Sequence, residues 1–174
     1  MKYLILAGCL TILMAASCKK NKPKTESEKL PSITQTGANT FGCLINNVAY
    51  IPGGGGVFDK ILLVIYDPTF EGGNLSIRAK KIANGKSTSI TLNGDSINFT
   101  GTYPLLLHSK FNVVFSDQID CNFHTYYDIP TSGVLNISKF DLINRIISGT
   151  FSFKISTPKC GLIEATDGRF DLKY

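Results

Sequence analysis

The sequence predicts an all-β domain, an antiparallel β-sandwich, that follows a lipoprotein signal. Three observations lead to this fold class. From Thr40 onward, apolar and polar residues alternate with a period of two, and no window has the 3.6-residue period of an amphipathic helix. The alternating runs are short and are separated by Gly, Asn, Asp or Pro. About eleven or twelve such runs are typical of a sandwich, with a closed or partly open β-barrel as the alternative.

The first 17 residues are predicted to be a signal peptide. Lys2 supplies the positive start, and the apolar run 3–14 is too short to span a bilayer as a stable helix. Small residues at 15–17 precede Cys18, as cleavage by an export peptidase requires. Cys18 is therefore the predicted lipidated first residue of the mature chain.

A rival cleavage site ends at Cys9. Leu6, Ala7 and Gly8 before it match the residues preferred around a lipidated cysteine better than 15–17 do. Cleavage there would leave an apolar region of about one or two helical turns after Lys2, which is too short for insertion. The position of the cysteine in the chain therefore favours cleavage before Cys18. An ordinary buried helix is disfavoured because the run changes abruptly into polar, basic sequence.

Residues 18–39 are predicted to form a flexible basic stalk. They are rich in Lys, Ser, Thr, Pro and Gly and cannot bury enough apolar surface to offset the cost of ordering. Five Lys stand against two Glu here, whereas twelve Lys and Arg stand against eleven Asp and Glu from Thr40 onward. The excess charge either attracts anionic lipid headgroups or simply solvates the stalk. A nearly neutral domain argues against nucleic acid as a partner.

Residues 40–174 are predicted to form one domain, since the 157 residues that remain of 174 after the signal have room for one core. A hairpin joins strands 40–45 and 48–51 through Asn46 and Asn47, which tolerate positive φ. The continuous apolar run 60–66 predicts a strand buried on both faces. The remaining predicted strands are 74–79, 87–92, 96–103, 111–116, 122–127, 133–140, 146–155, 161–165 and 169–174.

Several motifs contain residue types that can carry chemistry. Residues 84–88 contain the Gly-Lys-Ser ending of a phosphate-binding loop, but Lys80 replaces the required glycine and no helix follows, so a hairpin turn is predicted. The glycines 53–56 predict a mobile loop. One local group of possible metal ligands is formed by Asp117, Asp120, Cys121 and His124. Because it contains one imidazole and scattered carboxylates, we predict neither a metal nor a cofactor.

Acidic residues leave open a hydrolase that takes carboxylates from neighbouring strands. Such a pair has no spacing signature, and its candidates are Asp59, Asp67, Asp117, Asp120 and Asp128. The sequence has two histidines and no nucleophile motif, so we expect no catalytic residues. Two further groups of residues, 141–145 and 167–169, predict turns or a bulge.

Three cysteines remain after lipidation, in a compartment where a disulfide can persist. We predict that Cys43 pairs with Cys160, because the first and last strands of a sandwich often lie close together. Closing this loop would contribute up to about 5 kcal/mol on the chain-entropy model. Pairing of Cys121 with Cys160, and three buried free thiols, stay open as alternatives.

Three stretches, RIISGTFSF (145–153), TDGRFDLKY (166–174) and NTFGCLIN (39–46), resemble an uncharacterised family of exported lipoproteins of Bacteroidota. The resemblance implies a β-rich exported domain and no assigned activity. Asp95, Ser96 and Ile97 resemble the triplet that Bacteroidota glycosylate on exported proteins, which makes Ser96 a candidate O-glycan site, with an ordinary hairpin turn as the alternative. Lys19 stands where inner-membrane retention signals carry an aspartate, so we expect an outer-membrane protein that faces the periplasm.

These observations favour a non-enzymatic cell-envelope lipoprotein that acts as a binding or structural module. Its expected partners are the membrane, through the lipid anchor, and an unknown protein or glycan. The alternatives are a glycan-directed hydrolase and a carrier of a small apolar ligand.

Overall fold

The computed structural model describes residues 23–106, 109–117, 121–124, 131–157 and 160–174, and the side chains of 121–124, 131 and 157 lie outside this description. Apart from a short 3₁₀ helix, Ser27–Lys29, the regular structure of the described part is entirely β. The strands are β1 (Thr40–Ile45), β2 (Val48–Tyr50), β3 (Leu62–Asp67), β4 (Asn74–Ala83), β5 (Lys86–Gly94), β6 (Gly101–Pro104), β7 (Phe111–Asp117), β8 (Cys121–His124), β9 (Thr131–Asp141), β10 (Ile146–Thr157) and β11 (Gly161–Lys173).

The strands form two antiparallel sheets, which confirms the predicted all-β sandwich. The six-stranded sheet has the order β2-β1-β11-β10-β9-β6, and the five-stranded sheet has the order β3-β4-β5-β7-β8. Neither sheet closes into a barrel, so the barrel alternative is wrong. Fully buried apolar side chains from both sheets fill the space between them, among them Phe41, Leu75, Ile77, Ile90, Leu135 and Phe153.

Asparagines at positive φ form two of the hairpin turns. Asn46 and Asn47 have φ of 47° and 65° between β1 and β2, and Asn84 has φ of 53° between β4 and β5. An asparagine tolerates the left-handed region better than most residues, which explains these positions. Residues 84–88 are therefore a hairpin turn and the start of a strand, as predicted.

Two strands differ from their predictions. The edge strand β3 pairs only with β4, and Ile65 in it is 52% exposed, so this apolar run is not buried on both faces. Periodicity cannot distinguish a central strand from an apolar edge strand. The predicted strand 96–103 is reduced to β6, because Ser96 has a φ of 58° that interrupts an extended backbone.

The last two predicted strands are one strand, β11, with a bulge in its middle. Its pairing with β10 shifts between Phe151, which faces Gly168, and Phe153, which faces Ala165. The left-handed residue is Asp167, with φ of 53°, and a Cβ on Gly168 would lie 2.4 Å from the carbonyl oxygen of Phe151. The predicted bulge is confirmed, but it bends the strand instead of ending it.

Residues 26–39, which we call the N-terminal strap, pack on the outer face of the six-stranded sheet. Leu30 is buried with Leu44 and Ala49 in a small apolar cluster. The backbone N–H of Ala49 donates to the carboxylate of Glu26 at 2.9 Å. A Cβ on Gly42 would lie 2.7 Å from Cδ of Pro31, so glycine lets the strap lie directly on β1.

Asp171 holds the second half of the strap. Its carboxylate is 1% exposed and accepts hydrogen bonds from the hydroxyls of Thr34 (2.6 Å) and Ser148 (2.7 Å). The backbone N–H groups of Thr36 (2.9 Å), Gly37 (2.7 Å) and Ala38 (3.2 Å) donate to it as well. The structure thus differs over residues 26–39 from the flexible stalk predicted for 18–39. The reason is that the buried carboxylate of Asp171, near the other end of the chain, accepts hydrogen bonds from the hydroxyl and backbone N–H groups of this polar segment.

Candidate functional site

A polar groove of about 450 Å³ lies on the outer face of the five-stranded sheet. Successive side chains of a β-strand point to opposite faces of the sheet. Ile77, Ala79 and Ile90 therefore point into the core, and the residues between them point to the outer face, where the groove is lined by Arg78, Lys80, Ser87 and Ser89. The groove is thus a direct result of placing apolar and polar residues alternately along β4 and β5. Its volume is in the range of small-molecule sites.

Side chains that the strand register aligns across the sheet form the floor and one wall of the groove. Lys80 faces Ser89, and Ser89 faces Ser116 on β7. Residues directly opposite one another in a sheet have Cβ atoms about 5 Å apart. Short serine side chains beside the long side chains of Arg78 and Lys80 therefore leave a furrow that follows the central strand β5.

The glycine loop after β2 supports the rim. Gly53 donates its N–H to the carbonyl of Lys80 at 3.1 Å and accepts from the N–H of Ile82 at 2.8 Å. Gly54 has φ of 80°, and a Cβ there would lie 1.9 Å from the carbonyl oxygen of Ile82, so a glycine is required. The loop predicted to be mobile is therefore bonded to β4 at its first glycine.

Asp59 fixes the far end of this loop over the groove. Its carboxylate accepts from the N–H of Gly56 at 2.8 Å and from the ammonium group of Lys80 at 3.2 Å. These two hydrogen bonds hold the pKa of Asp59 below its usual value, and the bond from Gly56 has the larger effect. The neighbours of Asp59 are consequently presented at the rim, where the side chain of Phe58 is 99% exposed.

Several polar groups of the groove have no partner in the described part of the chain. Neither the hydroxyl of Ser87 nor that of Ser89 makes a hydrogen bond there, and both hydroxyls are accessible to solvent. Arg78 and Lys60 are exposed and form no ion pair with any described residue. With Lys80 paired to Asp59, the groove keeps two positive charges in excess, and its geometry suits an anionic ligand with hydrogen-bonding groups.

The outer face continues beyond the groove as a chain of side-chain hydrogen bonds. The hydroxyl of Ser76 donates to Oδ1 of Asn93 at 2.9 Å, and Nδ2 of Asn93 donates to Oδ1 of Asn112 at 3.0 Å. These bonds cross β4, β5 and β7 and fix the amides. The free donors of Ser87 and Ser89 lie further along the same strand β5, outside this chain of bonds.

Several predicted site residues lie outside the described part. These are Cys18, the signal 1–17, Asp120, Asp128 and the side chains of Cys121 and His124. Within the described part, no group of three or more His, Cys, Asp or Glu could hold a metal ion.

The cysteines contradict the predicted disulfide. Cys43 is a free, fully buried thiol, and Cys160 is disulfide-bonded, so the pairing of Cys43 with Cys160 is wrong. The physical reason is register: the β1 residues on either side of Cys43 pair with Arg169 and Thr166, several residues along β11 from Cys160. At about 3.3 Å per residue this separation is roughly 20 Å, far beyond the reach of a disulfide. Pairing of Cys160 with Cys121 stays a prediction.

Ser96 lies at a turn, two residues after the end of the central strand β5. Its hydroxyl donates to the carbonyl of Glu71 at 3.0 Å, and its neighbour Ile97 is fully buried. A glycan on this oxygen would replace the proton of that bond. O-glycosylation of Ser96 stays a prediction.

No sequence motif marks the groove. Its signal was present in the outward positions of the predicted strands 74–79 and 87–92, which carry Arg78 and Ser89. The return of the glycine loop onto β4, which adds Phe58 and Asp59, has no local signature.

No helix in the described residues combines the length and the apolar character needed to cross a membrane. Comparisons with protein-family models, with curated proteins and with solved structures find no match. The resemblance to exported lipoproteins of Bacteroidota therefore stays a prediction.

Proposed function

We propose that the protein is a lipid-anchored, non-enzymatic binding module of the cell envelope, and that the groove on its five-stranded sheet is the ligand-binding surface. One observation carries this proposal. The groove combines two serine hydroxyls that make no hydrogen bond to any described residue with two cations that form no ion pair there, on a face whose other side chains are hydrogen-bonded. Polar groups without partners at a concave surface are typical of a ligand site.

Two of the candidate carboxyl groups, Asp59 and Asp67, do not fit the general acid of a hydrolase. A glycosidase needs one carboxylic acid with a raised pKa. Hydrogen bonds lower the pKa of Asp59 in the groove, first from Gly56, and that of Asp67 at the end of β3, first from Thr69. Neither group is suited to donate a proton near neutral pH.

The envelope location rests on the sequence. Lys2, the apolar run 3–14 and Cys18 support export and lipidation, and Lys19 supports sorting to the outer membrane with the domain facing the periplasm. The mass of the native N-terminal peptide tests the anchor. We expect a diacylated Cys18, and an unmodified peptide that starts elsewhere would contradict it.

Filling the groove tests the ligand-binding surface. The half-buried side chain of Ser89 lies at the centre of the floor, so Ser89→Tyr places a ring in the furrow without disturbing the core. Ser152→Tyr is the matched control, because Ser152 occupies an outward position of β10 in the other sheet. Binding to a panel of neutral polysaccharides, acidic polysaccharides and acidic peptides is measured by isothermal titration.

We expect at least one polymer of the panel to bind the unmodified protein and the Ser152→Tyr variant equally, and to lose its binding to the Ser89→Tyr variant. The bound polymer should keep its length, as a count of reducing ends would show. If a polymer still binds the Ser89→Tyr variant, or if no polymer of the panel binds the unmodified protein, the groove is not the ligand-binding surface.

Carriage of a small apolar ligand is a second candidate function, favoured by a cleft of about 560 Å³ lined by Val64, Ile65, Tyr66 and Leu142. Tyr174 also lines it, and its buried hydroxyl has no partner in the described part. We expect the neutral dye N-phenyl-1-naphthylamine to fluoresce with the protein and to be released by Ile65→Ser. Equal fluorescence of the two proteins would remove this candidate.

A further inference from the structure

We propose that the groove binds an acidic polysaccharide, a chain whose sugar units carry carboxylate or sulfate groups. This inference rests on the proposed function, because it names the ligand class of the same groove. Three features select the class: cations and hydroxyls that have no partner among the described residues, and an exposed aromatic ring at the rim.

The cations select a negatively charged ligand. The guanidinium of Arg78 and the ammonium of Lys60 line the groove, and neither has an ion-pair partner among the described residues. Asp59 is the one carboxylate among the described residues that line the groove, and it is already bound to Lys80 and to the backbone of Gly56. A planar guanidinium binds a carboxylate or a sulfate through two parallel hydrogen bonds, so Arg78 is the principal anion-binding residue.

The hydroxyls select a ligand that is rich in hydrogen-bonding groups. Ser87 and Ser89 are successive outward residues of β5, roughly 7 Å apart along the strand and both line the groove. Neither hydroxyl makes a hydrogen bond to a described residue, and both are accessible to a ligand. Neighbouring hydroxyls of a sugar chain that lies along β5 would satisfy both serines.

The aromatic ring selects a sugar over an acidic peptide. Phe58 is 99% exposed at the rim, beside the hydrogen-bonded Asp59 that holds the loop in place. An aromatic face packs well against an apolar surface of similar size, and the C–H face of a pyranose ring is such a surface. An acidic peptide would satisfy the cations but would leave this ring without a regular partner.

Matched pairs of polymers test the inference by isothermal titration at low salt. Polygalacturonate is compared with its methyl ester, dextran sulfate with dextran, and poly-glutamate stands for an acidic peptide. We expect at least one acidic polysaccharide to bind about tenfold or more tightly than its neutral partner, as one charge-assisted contact suffices for this ratio. The two pairs distinguish carboxylate from sulfate as the recognised group.

Variants on the rim and the wall add the residue-level test. We expect Arg78→Gln to weaken the binding of the acidic polysaccharide roughly tenfold and Phe58→Ala roughly fivefold. Both side chains are exposed, so the fold should be retained. Lys154→Gln, which removes one exposed positive charge from the other sheet, is the control and should leave the affinity unchanged.

The outcomes separate this inference from the proposed function. Two results would overturn the acidic polysaccharide as the ligand class and leave the groove as the binding surface, provided that Ser89→Tyr still blocks binding. One is equal affinity for acidic and neutral polymers. The other is tightest binding of poly-glutamate, with an affinity that Phe58→Ala does not change. Binding that is insensitive to Ser89→Tyr, or no binding at all, would overturn both.

Discussion

Asp171 is the residue on which the N-terminal strap depends. The side chain points away from the core residues Phe170 and Leu172, and both the strap and Ser148 of β10 bond to it. Burial raises the pKa of its carboxyl, but the hydrogen bonds from Thr34, Ser148 and the strap backbone outweigh burial and hold the pKa well below its usual range. The ionised carboxylate is therefore what the strap recognises.

We predict that Asp171→Asn lowers the free energy of unfolding by about 2–3 kcal/mol, because an amide cannot accept all of these hydrogen bonds. Urea unfolding measures the change. Asp167→Asn, four residues earlier and exposed, is the control and should change stability little. Equal loss in both variants would contradict the special role of Asp171.

The same residue predicts a pH dependence. A carboxyl whose pKa is lower in the folded state adds stability above its unfolded pKa of about 4 and loses it as the pH falls through the folded pKa. The difference in unfolding free energy between the unmodified protein and Asp171→Asn should be constant above about pH 5 and shrink below about pH 4. A difference that does not change down to pH 2 would contradict this account.

Cys43 offers a test of the corrected cysteine assignment. Burial raises the pKa of its thiol to about 12, so little thiolate is present at neutral pH. We predict that iodoacetamide leaves Cys43 unmodified in the folded protein and alkylates it in guanidinium without a reductant. Cys160 should stay protected in both conditions. A peptide linking Cys43 to Cys160 would contradict the structure.

At the scale of elements, the strap is the largest addition to the predicted fold. It buries Leu30 against Leu44 and Ala49 and covers the outer face of β1, β10 and β11. Without it, this apolar cluster and the carboxylate of Asp171 would face water. The strap is therefore part of the folded domain, and the domain begins near Glu26.

We predict that a chain beginning at Thr40 is less stable than one beginning at Pro23 by about 3 kcal/mol or more. The loss combines the burial of Leu30, about 2 kcal/mol, with the hydrogen bonds to Asp171. Urea unfolding of the two shortened chains measures it. A third chain that begins at Glu26 is the control and should match the one from Pro23. Equal stability of all three would contradict the role of the strap.

The strands were predictable because each leaves a local period of two, and the asparagine turns were predictable because they require positive φ. The strap was not, since Thr34 and Thr36 find their partner Asp171 about 135 residues away. The groove was predictable in part: outward Arg78 and Ser89 follow from the period, whereas the packing of Gly53 against β4 is a tertiary contact. The predicted pairing of Cys43 with Cys160 was wrong because two strands can be neighbours in a sheet without a register that brings their cysteines together.

At the scale of the whole molecule, the strap and the groove lie on opposite faces of the sandwich. The strap covers the outer face of the six-stranded sheet, and the groove opens on the outer face of the five-stranded sheet. A ligand can therefore reach the groove while the strap stays bound. The strap and the proposed binding surface therefore do not compete for space.

The strap also shortens the tether that the proposed lipid anchor provides. Seven residues, 19–25, separate Cys18 from Glu26, the first residue that bonds to the domain. Even fully extended, they reach about 25 Å, whereas a stalk that extended to Asn39 would reach roughly 70 Å. The proposed lipoprotein should therefore hold its domain close to the bilayer, with the β1–β2 hairpin end nearest the anchor.

We predict that releasing the strap moves the domain away from the membrane. Leu30→Ser combined with Asp171→Asn removes the apolar and the ionic attachment together, and neutron reflectometry of the lipidated protein on a supported bilayer measures the distance of the domain layer. The unmodified protein and the Asp167→Asn control should form a layer that begins within about 25 Å of the headgroups. The released variant should form a broader layer that extends further out, provided that circular dichroism shows an intact fold. Identical profiles for the released and the unmodified protein would mean that the strap does not set the reach of the tether.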